Sequence, residues 1–213
     1  MKKLKTTQGV AAFLKLFTII IMVLACMAGC KKNDGNGNGN GNGTDFNDKK
    51  NAFVIIDDVK YNLYDEHTVQ DLLDAGYTVD PKYDVNQKYD ASEMEGTCAQ
   101  TFYMYKDGRE YFEVEPRDWS SHPGALKNWT ISAFYINVFK CDASTVGGLN
   151  KTYSKEDVME VFGGKPSSQN IIMLLYDFKD HYFHFNFRSD GRMDNITVGL
   201  KVNHLSIITG QTH

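Results

Sequence analysis

The side chains that most often carry out chemistry in proteins, histidine and cysteine, are scattered along this sequence. His181 and His184 lie three residues apart, and strand residues at that spacing point to opposite faces, so the two cannot chelate one ion together. His67, His122 and His204 fall in separate predicted loops or termini. No His-Glu-x-x-His, Cys-x-x-Cys or calcium-loop motif occurs. We therefore expect no metal site and no cofactor.

Motifs for nucleophilic catalysis are also missing. Cys98 and Cys141 lack the local signatures of cysteine hydrolases, and no Gly-x-Ser-x-Gly occurs. Gly147-Gly148 is too short for a phosphate loop and predicts a turn. We expect a protein that is not an enzyme, and a hydrolase with an unrecognised site is the least favoured alternative.

A third cysteine, Cys30, directly follows a segment that is typical of a signal peptide. Residues 1–15 carry four lysines and no acidic residue, residues 16–27 are almost wholly apolar, and Ala28-Gly29 directly precede Cys30. A basic start, an apolar core and small residues before a cut site are typical of a secretory signal. The apolar stretch is shorter than the roughly 20 residues that a membrane-spanning helix needs.

The ending Ala28-Gly29-Cys30 resembles the lipobox of bacterial prolipoproteins, with Met27 where that family usually has leucine. The resemblance implies that residues 1–29 are a signal peptide. It also implies that Cys30 carries diacylglycerol and a fatty acid such as palmitate, which anchor the chain to a bacterial membrane outside the cytoplasm. Within residues 30–45, positions 35–43 alternate glycine and asparagine, and the segment cannot bury enough surface to become ordered. We expect a flexible tether there, with a reach on the order of 20 Å.

Charge and composition restrict what the remaining domain can do. Loss of residues 1–29 removes four lysines and no acids, so the formal net charge moves from −4 to −8. Such an acidic domain lacks the basic stripe of a nucleic-acid binder, which excludes that class. Roughly 165 residues remain, enough for one domain or two small halves with a shared core. Thirteen phenylalanines and twelve tyrosines, with four prolines, favour a sheet-rich fold.

Turn and cap residues predict a hairpin over 52–64, turning at Asp57-Asp58, and then the order helix–β–β–β twice. Thr68 and Ser154 are the predicted N-caps of the two helices, and Gly76 and Gly163 end them. Residues 78–100 show no clean period and are predicted to be a long loop. The predicted strands are 101–105, 110–114, 129–139, 171–178, 181–187 and 195–202.

The two helix–βββ segments also match in sequence register, which predicts an internal repeat over residues 46–144 and 145–213. At an offset of 86, Leu63, Thr68, Asp71 and Leu72 match Leu149, Ser154, Asp157 and Val158. The hairpins then match as Tyr103/Tyr176, Tyr105/Phe178, Lys106/Lys179 and Asp107/Asp180.

The second repeat carries Phe162-Gly-Gly-Lys-Pro166 after its helix, then Tyr176-Asp-Phe178, and Phe183 to Gly191. It resembles the repeat of the β-lactamase-inhibitory-protein-like superfamily, whose members include small lipoproteins of outer-membrane assembly. The likeness covers 147–200 well and 59–136 loosely, since the first copy lacks the Gly-x-Pro. It implies an α+β fold of two tandem helix–βββ units, with one curved antiparallel sheet and helices on one face. In several such proteins the open face of the sheet binds another protein.

Strand alternation separates a core face of this sheet from an outward face. Phe183, Phe185 and Phe187 are predicted to point to the core, as are Phe112 and Val114. The outward set consists of Tyr103, Tyr105, Tyr111, Glu113, Tyr182, His184, Asn186 and Arg188. Tyrosine and arginine are enriched at interface hot spots, which predicts a partner-binding face. The alternative is an ordinary solvated sheet face with aromatic cross-strand pairs.

The expected partner is another extracytoplasmic protein or a cell-wall component. The alternative is an inhibitor of a secreted or cell-wall enzyme, which needs a protruding loop at 106–110 or 115–124.

A bond between Cys98 and Cys141 is doubtful. An extracytoplasmic location favours a disulfide. However, the two residues lie at opposite ends of the predicted three-stranded meander, roughly 20–30 Å apart, and a disulfide needs Cα atoms within about 7 Å. They meet only if the 78–100 loop folds back along the sheet.

Overall fold

The computed structural model describes residues 44–89, 101–117 and 124–201. This part of the chain is mixed α+β, with mostly antiparallel strands and two α-helices, which confirms the predicted α+β class. The predictions for the signal peptide, Cys30, most of the tether, Cys98, His122 and His204 lie outside the described residues.

The helices and strands follow one another in a simple order along the chain. They are β1 (Phe53–Ile56), β2 (Val59–Asn62), α1 (Val69–Asp74), β3 (Thr78–Val79), β4 (Phe102–Lys106), β5 (Arg109–Pro116), β6 (Ile131–Asn137), β7 (Ala143–Thr145), α2 (Lys155–Phe162), β8 (Ser168–Asn170), β9 (Met173–Asp177), β10 (His181–Phe187) and β11 (Met193–Leu200). Short 3₁₀ helices cover Lys49–Asn51, Leu126–Asn128 and Val146–Gly148.

Among the described residues these strands form two sheets. The larger has eight strands in the order β3-β4-β5-β6-β11-β10-β9-β8, and the smaller has three, in the order β2-β1-β7. The predicted hairpin over 52–64 is β1–β2, and it pairs with β7 in the smaller sheet, a pairing that the sequence did not predict. Strands β3, β7 and β8 were not predicted, because two or three residues are too few to show an alternating pattern.

Both helices begin at the predicted caps, and each cap is a reciprocal capping box. In α1 the Thr68 N–H donates to the Asp71 carboxylate at 2.7 Å, and the Asp71 N–H donates back to the Thr68 hydroxyl at 3.4 Å. In α2 the equivalent distances between Ser154 and Asp157 are 2.8 and 3.2 Å. Gly163 ends α2 in the left-handed region, with φ of 62°, as the sequence predicts.

The core lies on one face of the eight-stranded sheet. Phe183, Phe185 and Phe187 are buried there, as predicted, and so are Phe112 and Val114. Helix α2 packs against this face with Val158 and Phe162. The Phe162 ring stacks on Tyr176 at 4.3 Å and meets the Phe183 and Phe185 rings edge-on at 5.2 and 5.6 Å. In β5 and β10, the residues that alternate with these core residues point to the opposite face of the sheet.

Candidate functional site

Three cross-strand rows of side chains occupy the face of the eight-stranded sheet opposite the core, which we call the polar face. The middle row runs across five strands as Tyr103, Glu113, Tyr135, Thr197 and His184. The row on one side of it is Glu115, Ala133, Gly199 and Tyr182. The row on the other side, the asparagine row, is Asn137, Asn195 and Asn186.

The polar face holds a concavity of about 400 Å³, within the range of about 300–1,000 Å³ found for small-ligand pockets. Side chains of the middle row and the asparagine row line it, together with Glu110 and Lys140 at its rim. Of the eight residues predicted to bind a partner, five line this concavity: Tyr103, Tyr111, Glu113, His184 and Asn186. Most of the residues predicted from strand alternation therefore lie around the same concavity.

Tyr182 lies on the predicted face but does not line the concavity. Its ring lies flat over its cross-strand partner Gly199, where an added Cβ would come within 2.5 Å of the ring. The side chain is consequently only 4% exposed. Its hydroxyl lies 3.5 Å from that of Tyr135, so Tyr182 is part of the packed layer beside the site.

Tyr135 holds a buried carboxylate on the polar face. Its hydroxyl donates to the Glu115 carboxylate at 2.6 Å, and Glu115 is only 5% exposed. Burial raises the pKa of the Tyr135 hydroxyl, and the neighbouring Tyr182 and Glu115 raise it further, so Tyr135 stays a neutral donor. Sequence reasoning missed Tyr135 because only the two hairpins were divided into faces. The alternation of Phe134 and Tyr135 in β6 was the signal that could have found it.

Tyr111 lines the concavity, yet its hydroxyl points elsewhere. A bulge between β4 and β5 leaves Tyr111 as the extra residue between the pairs Met104–Phe112 and Tyr105–Glu110. The Tyr111 hydroxyl donates to Asp57 at 2.6 Å, in the turn between β1 and β2.

The same Asp57 carboxylate accepts hydrogen bonds from Lys106 at 2.7 Å and from Tyr77 at 2.9 Å. Burial raises the pKa of Asp57, but the hydrogen bonds from Lys106, Tyr111 and Tyr77 outweigh it, and the pKa lies below its usual value. This cluster fastens the three-stranded sheet to the β4–β5 hairpin.

Two further predicted residues lie apart from the concavity. The Tyr105 hydroxyl donates to Asp80, near β3, at 3.5 Å. Arg188 follows the end of β10 and is exposed, with its guanidinium 5.0 Å from the centre of the Phe139 ring.

The charges of the concavity disfavour an anionic occupant. At the rim, Lys140 and Glu110 form an ion pair of 3.0 Å. Glu113, in the middle row, accepts a hydrogen bond from the Thr101 hydroxyl at 2.7 Å. Two carboxylates and one ammonium group therefore line the site, which gives an anionic ligand no net attraction.

Cys141 is a buried free thiol beside Asp57 and Tyr111. Burial raises the pKa of this thiol to about 12, so it is protonated at neutral pH and is not a reactive thiolate. Its possible partner Cys98 is outside the described residues.

In the described ranges, no group of three His, Cys, Asp or Glu side chains is placed to hold a metal ion. Within the same ranges, no helix has the length and apolar character needed to cross a membrane.

The loop at 106–110, predicted as a possible inhibitory loop, is a tight turn. Asp107 and Gly108 have φ of 51° and 72°, as in the two-residue turns that fit the twist of a hairpin. Lys106 is bound to Asp57 and Glu110 to Lys140, which hold both ends of the turn against the domain. Of the other candidate loop, residues 118–123 lie outside the described residues.

Comparison of the chain with models of protein families, with curated proteins and with solved structures finds no match.

Proposed function

We propose that this chain is a lipid-anchored lipoprotein outside the cytoplasm, and that it is a binding protein without enzymatic activity. Its polar face would hold another extracytoplasmic protein or a cell-wall component. The concavity on that face carries the proposal, because five residues chosen from strand alternation alone line it together. The signal-like residues 1–29 and the lipobox-like ending at Cys30 support the anchor.

We further propose that the domain consists of two helix–βββ units, as in the superfamily that the sequence resembles. The sheet order supports this, since β4 to β6 run inward from one side and β9 to β11 from the other, each with one short extra strand, β3 or β8, at the outer edge. Each helix cap also makes the same isolated bridge, to the residue just before the last strand of its unit: Thr68 to Thr130, and Ser154 to Arg192.

The start of the folded domain supports a tethered arrangement. Phe46 is buried against Phe162 and Phe178, with ring centres 4.4 and 6.1 Å away. The Nε2 of His181 lies 2.9 Å from the Phe46 carbonyl oxygen and donates to it. His181 begins β10, whereas Asn186, in the concavity, lies five residues further along the strand, roughly 17 Å away. The domain end of the tether is therefore fixed at the opposite end of β10 from Asn186.

The binding role is tested with the full chain carrying His184→Ala and Asn186→Ala together. Both side chains are half-buried on the polar face, so we expect the domain to stay folded and lose at least tenfold in capture of envelope proteins or isolated cell wall. Asn47→Ala is the matched control, because Asn47 is exposed in the turn before β1. Equal capture by the double variant and the control would remove the polar face from the proposal.

The anchor is tested separately with Cys30→Ala. We expect this variant to lack the lipid mass on the mature protein and to leave the membrane fraction. Membrane association equal to that of the wild type would contradict lipidation at Cys30.

The inhibitor alternative is tested by adding the full chain to β-lactamases and wall hydrolases. If the chain inhibits such an enzyme, and the double variant inhibits it equally well, the inhibitor function would replace the binding proposal.

A further inference from the structure

The asparagine row is the least expected feature of the polar face. Asn137, Asn195 and Asn186 stand directly opposite one another on β6, β11 and β10, and all three are half-buried. Directly opposed residues of neighbouring antiparallel strands have Cβ atoms about 4.5–5.5 Å apart. Three planar amides are thus aligned along one wall of the concavity.

These amides are only partly used within the protein. The Asn137 side-chain oxygen accepts from the Phe139 N–H at 3.0 Å, and the Asn195 amide donates to Asp194 at 3.0 Å. Among the described residues, the Asn186 side chain makes no hydrogen bond. Each amide offers two donors and an acceptor with two lone pairs, so several hydrogen-bonding positions face the concavity.

The surrounding groups narrow the chemistry of an occupant. A phosphate or another anion would meet two carboxylates and a single lysine that is already paired with Glu110. A purely apolar ligand would cover the half-buried amides of the asparagine row without giving them hydrogen-bond partners, which costs free energy. An extended peptide adds to a sheet edge, whereas this concavity lies over β5, β6, β11 and β10, inside the sheet.

Neutral sugars match the remaining requirement, which is an uncharged ligand with many hydrogen-bonding groups. Their neighbouring hydroxyl groups are donors and acceptors at short spacing, which a planar amide can contact with both of its ends. Thr197 adds a hydroxyl, and the rings of Tyr103 and Tyr135 offer apolar faces to the C–H groups of a sugar ring.

We propose that the asparagine row, with Tyr135 and Thr197, binds a neutral saccharide of the cell envelope. This inference rests on the proposed function, because it names the ligand class of the same face. The volume of about 400 Å³ is at the lower end of the small-ligand range and suits a short oligosaccharide segment.

The test uses the full chain in detergent micelles and an array of immobilised oligosaccharides. One arm carries neutral oligomers of hexoses and N-acetylhexosamines, and the other carries sulfated and uronic-acid oligomers. We expect binding in the neutral arm, with at least a tenfold loss for Asn186→Ala and for Asn195→Ala and less than a twofold change for Asn47→Ala. Thermal unfolding of each variant checks that the domain is folded.

Three results overturn the saccharide proposal: no binding in the neutral arm, binding in the anionic arm alone, or neutral binding that the asparagine variants leave unchanged. If no saccharide binds but the His184→Ala/Asn186→Ala variant still loses envelope capture, the ligand class is wrong and the binding function stands. If neither saccharide binding nor envelope capture responds to these substitutions, the proposed function fails as well.

Discussion

The two faces of strand β10 differ in how they are stabilised. On the core face, Phe183 and Phe185 are fully buried and contact the Phe162 ring of helix α2. On the polar face, His184 and Asn186 are half-buried beside a concavity. Alternating residues of one strand thus supply the packing that holds the fold and the polar groups available for binding. Substitutions on the two faces should consequently separate stability from binding.

The largest effect is expected from Phe185→Ala, on the core face. Removal of a buried phenylalanine costs about 3–5 kcal/mol, through lost apolar burial and the cavity left behind. Urea denaturation measures the free energy of unfolding. Asn186→Ala is the matched variant at the adjacent position, and we expect it to change that free energy by less than about 0.5 kcal/mol. Similar losses for both variants would show that the two faces do not divide these roles.

A smaller effect is expected from Gly199→Ala, which tests whether part of the polar face is also tightly packed. The new Cβ would meet the Tyr182 ring at 2.5 Å and push it off the sheet, at a cost of about 1–3 kcal/mol. With Tyr182→Ala already present, the same substitution should cost nothing. The double-mutant cycle from denaturation curves measures this coupling. If the two substitutions change the free energy of unfolding additively, the position of the Tyr182 ring does not require a glycine at 199.

The smallest effect is a pH dependence that originates at His181. Burial lowers the pKa of His181, whose Nε2 faces the Phe46 carbonyl and whose Nδ1 lies 3.2 Å from the Tyr64 hydroxyl. The unfolded chain then takes up a proton more readily than the folded chain does. Folding is therefore most favoured above pH of about 6.5, the usual pKa of histidine, and loses stability as the pH falls below it.

His181→Gln should flatten this dependence. We expect the free energy of unfolding to fall less steeply between pH 7 and pH 5 in the variant than in the wild type. Above pH 7.5 the two slopes should coincide, which serves as the internal control. Identical slopes at every pH would show that His181 does not link protonation to folding.

The sequence predicted the structural features that depend on residues close together along the chain. Thr68 and Ser154 cap their helices with an acidic residue three positions on, and Phe183 to Phe187 alternate as a half-buried strand does. These features need only a few consecutive residues, and the structure has each of them where the sequence placed it.

Features that depend on register between distant strands could not be predicted in this way. The pairing of β1 with β7 joins segments about 90 residues apart. Tyr182 is buried because its partner on β11 is Gly199, which lies beneath its ring. Tyr111 lies at the bulge in β5, and its hydroxyl donates to Asp57. Asn137 and Asn195 reach the concavity through the pairing of β6 with β11, the two strands at the middle of the sheet.

The two outermost strands of the large sheet limit how copies of the chain can associate at high concentration. A long exposed edge offers its backbone groups to the edge of another molecule and invites stacking into polymers. Here β3 spans two residues and β8 spans three, so each edge offers very few such groups. At β8 the Lys155 ammonium already occupies the Asn170 carbonyl oxygen. The edges of the large sheet therefore offer a neighbouring molecule little backbone for edge-to-edge pairing.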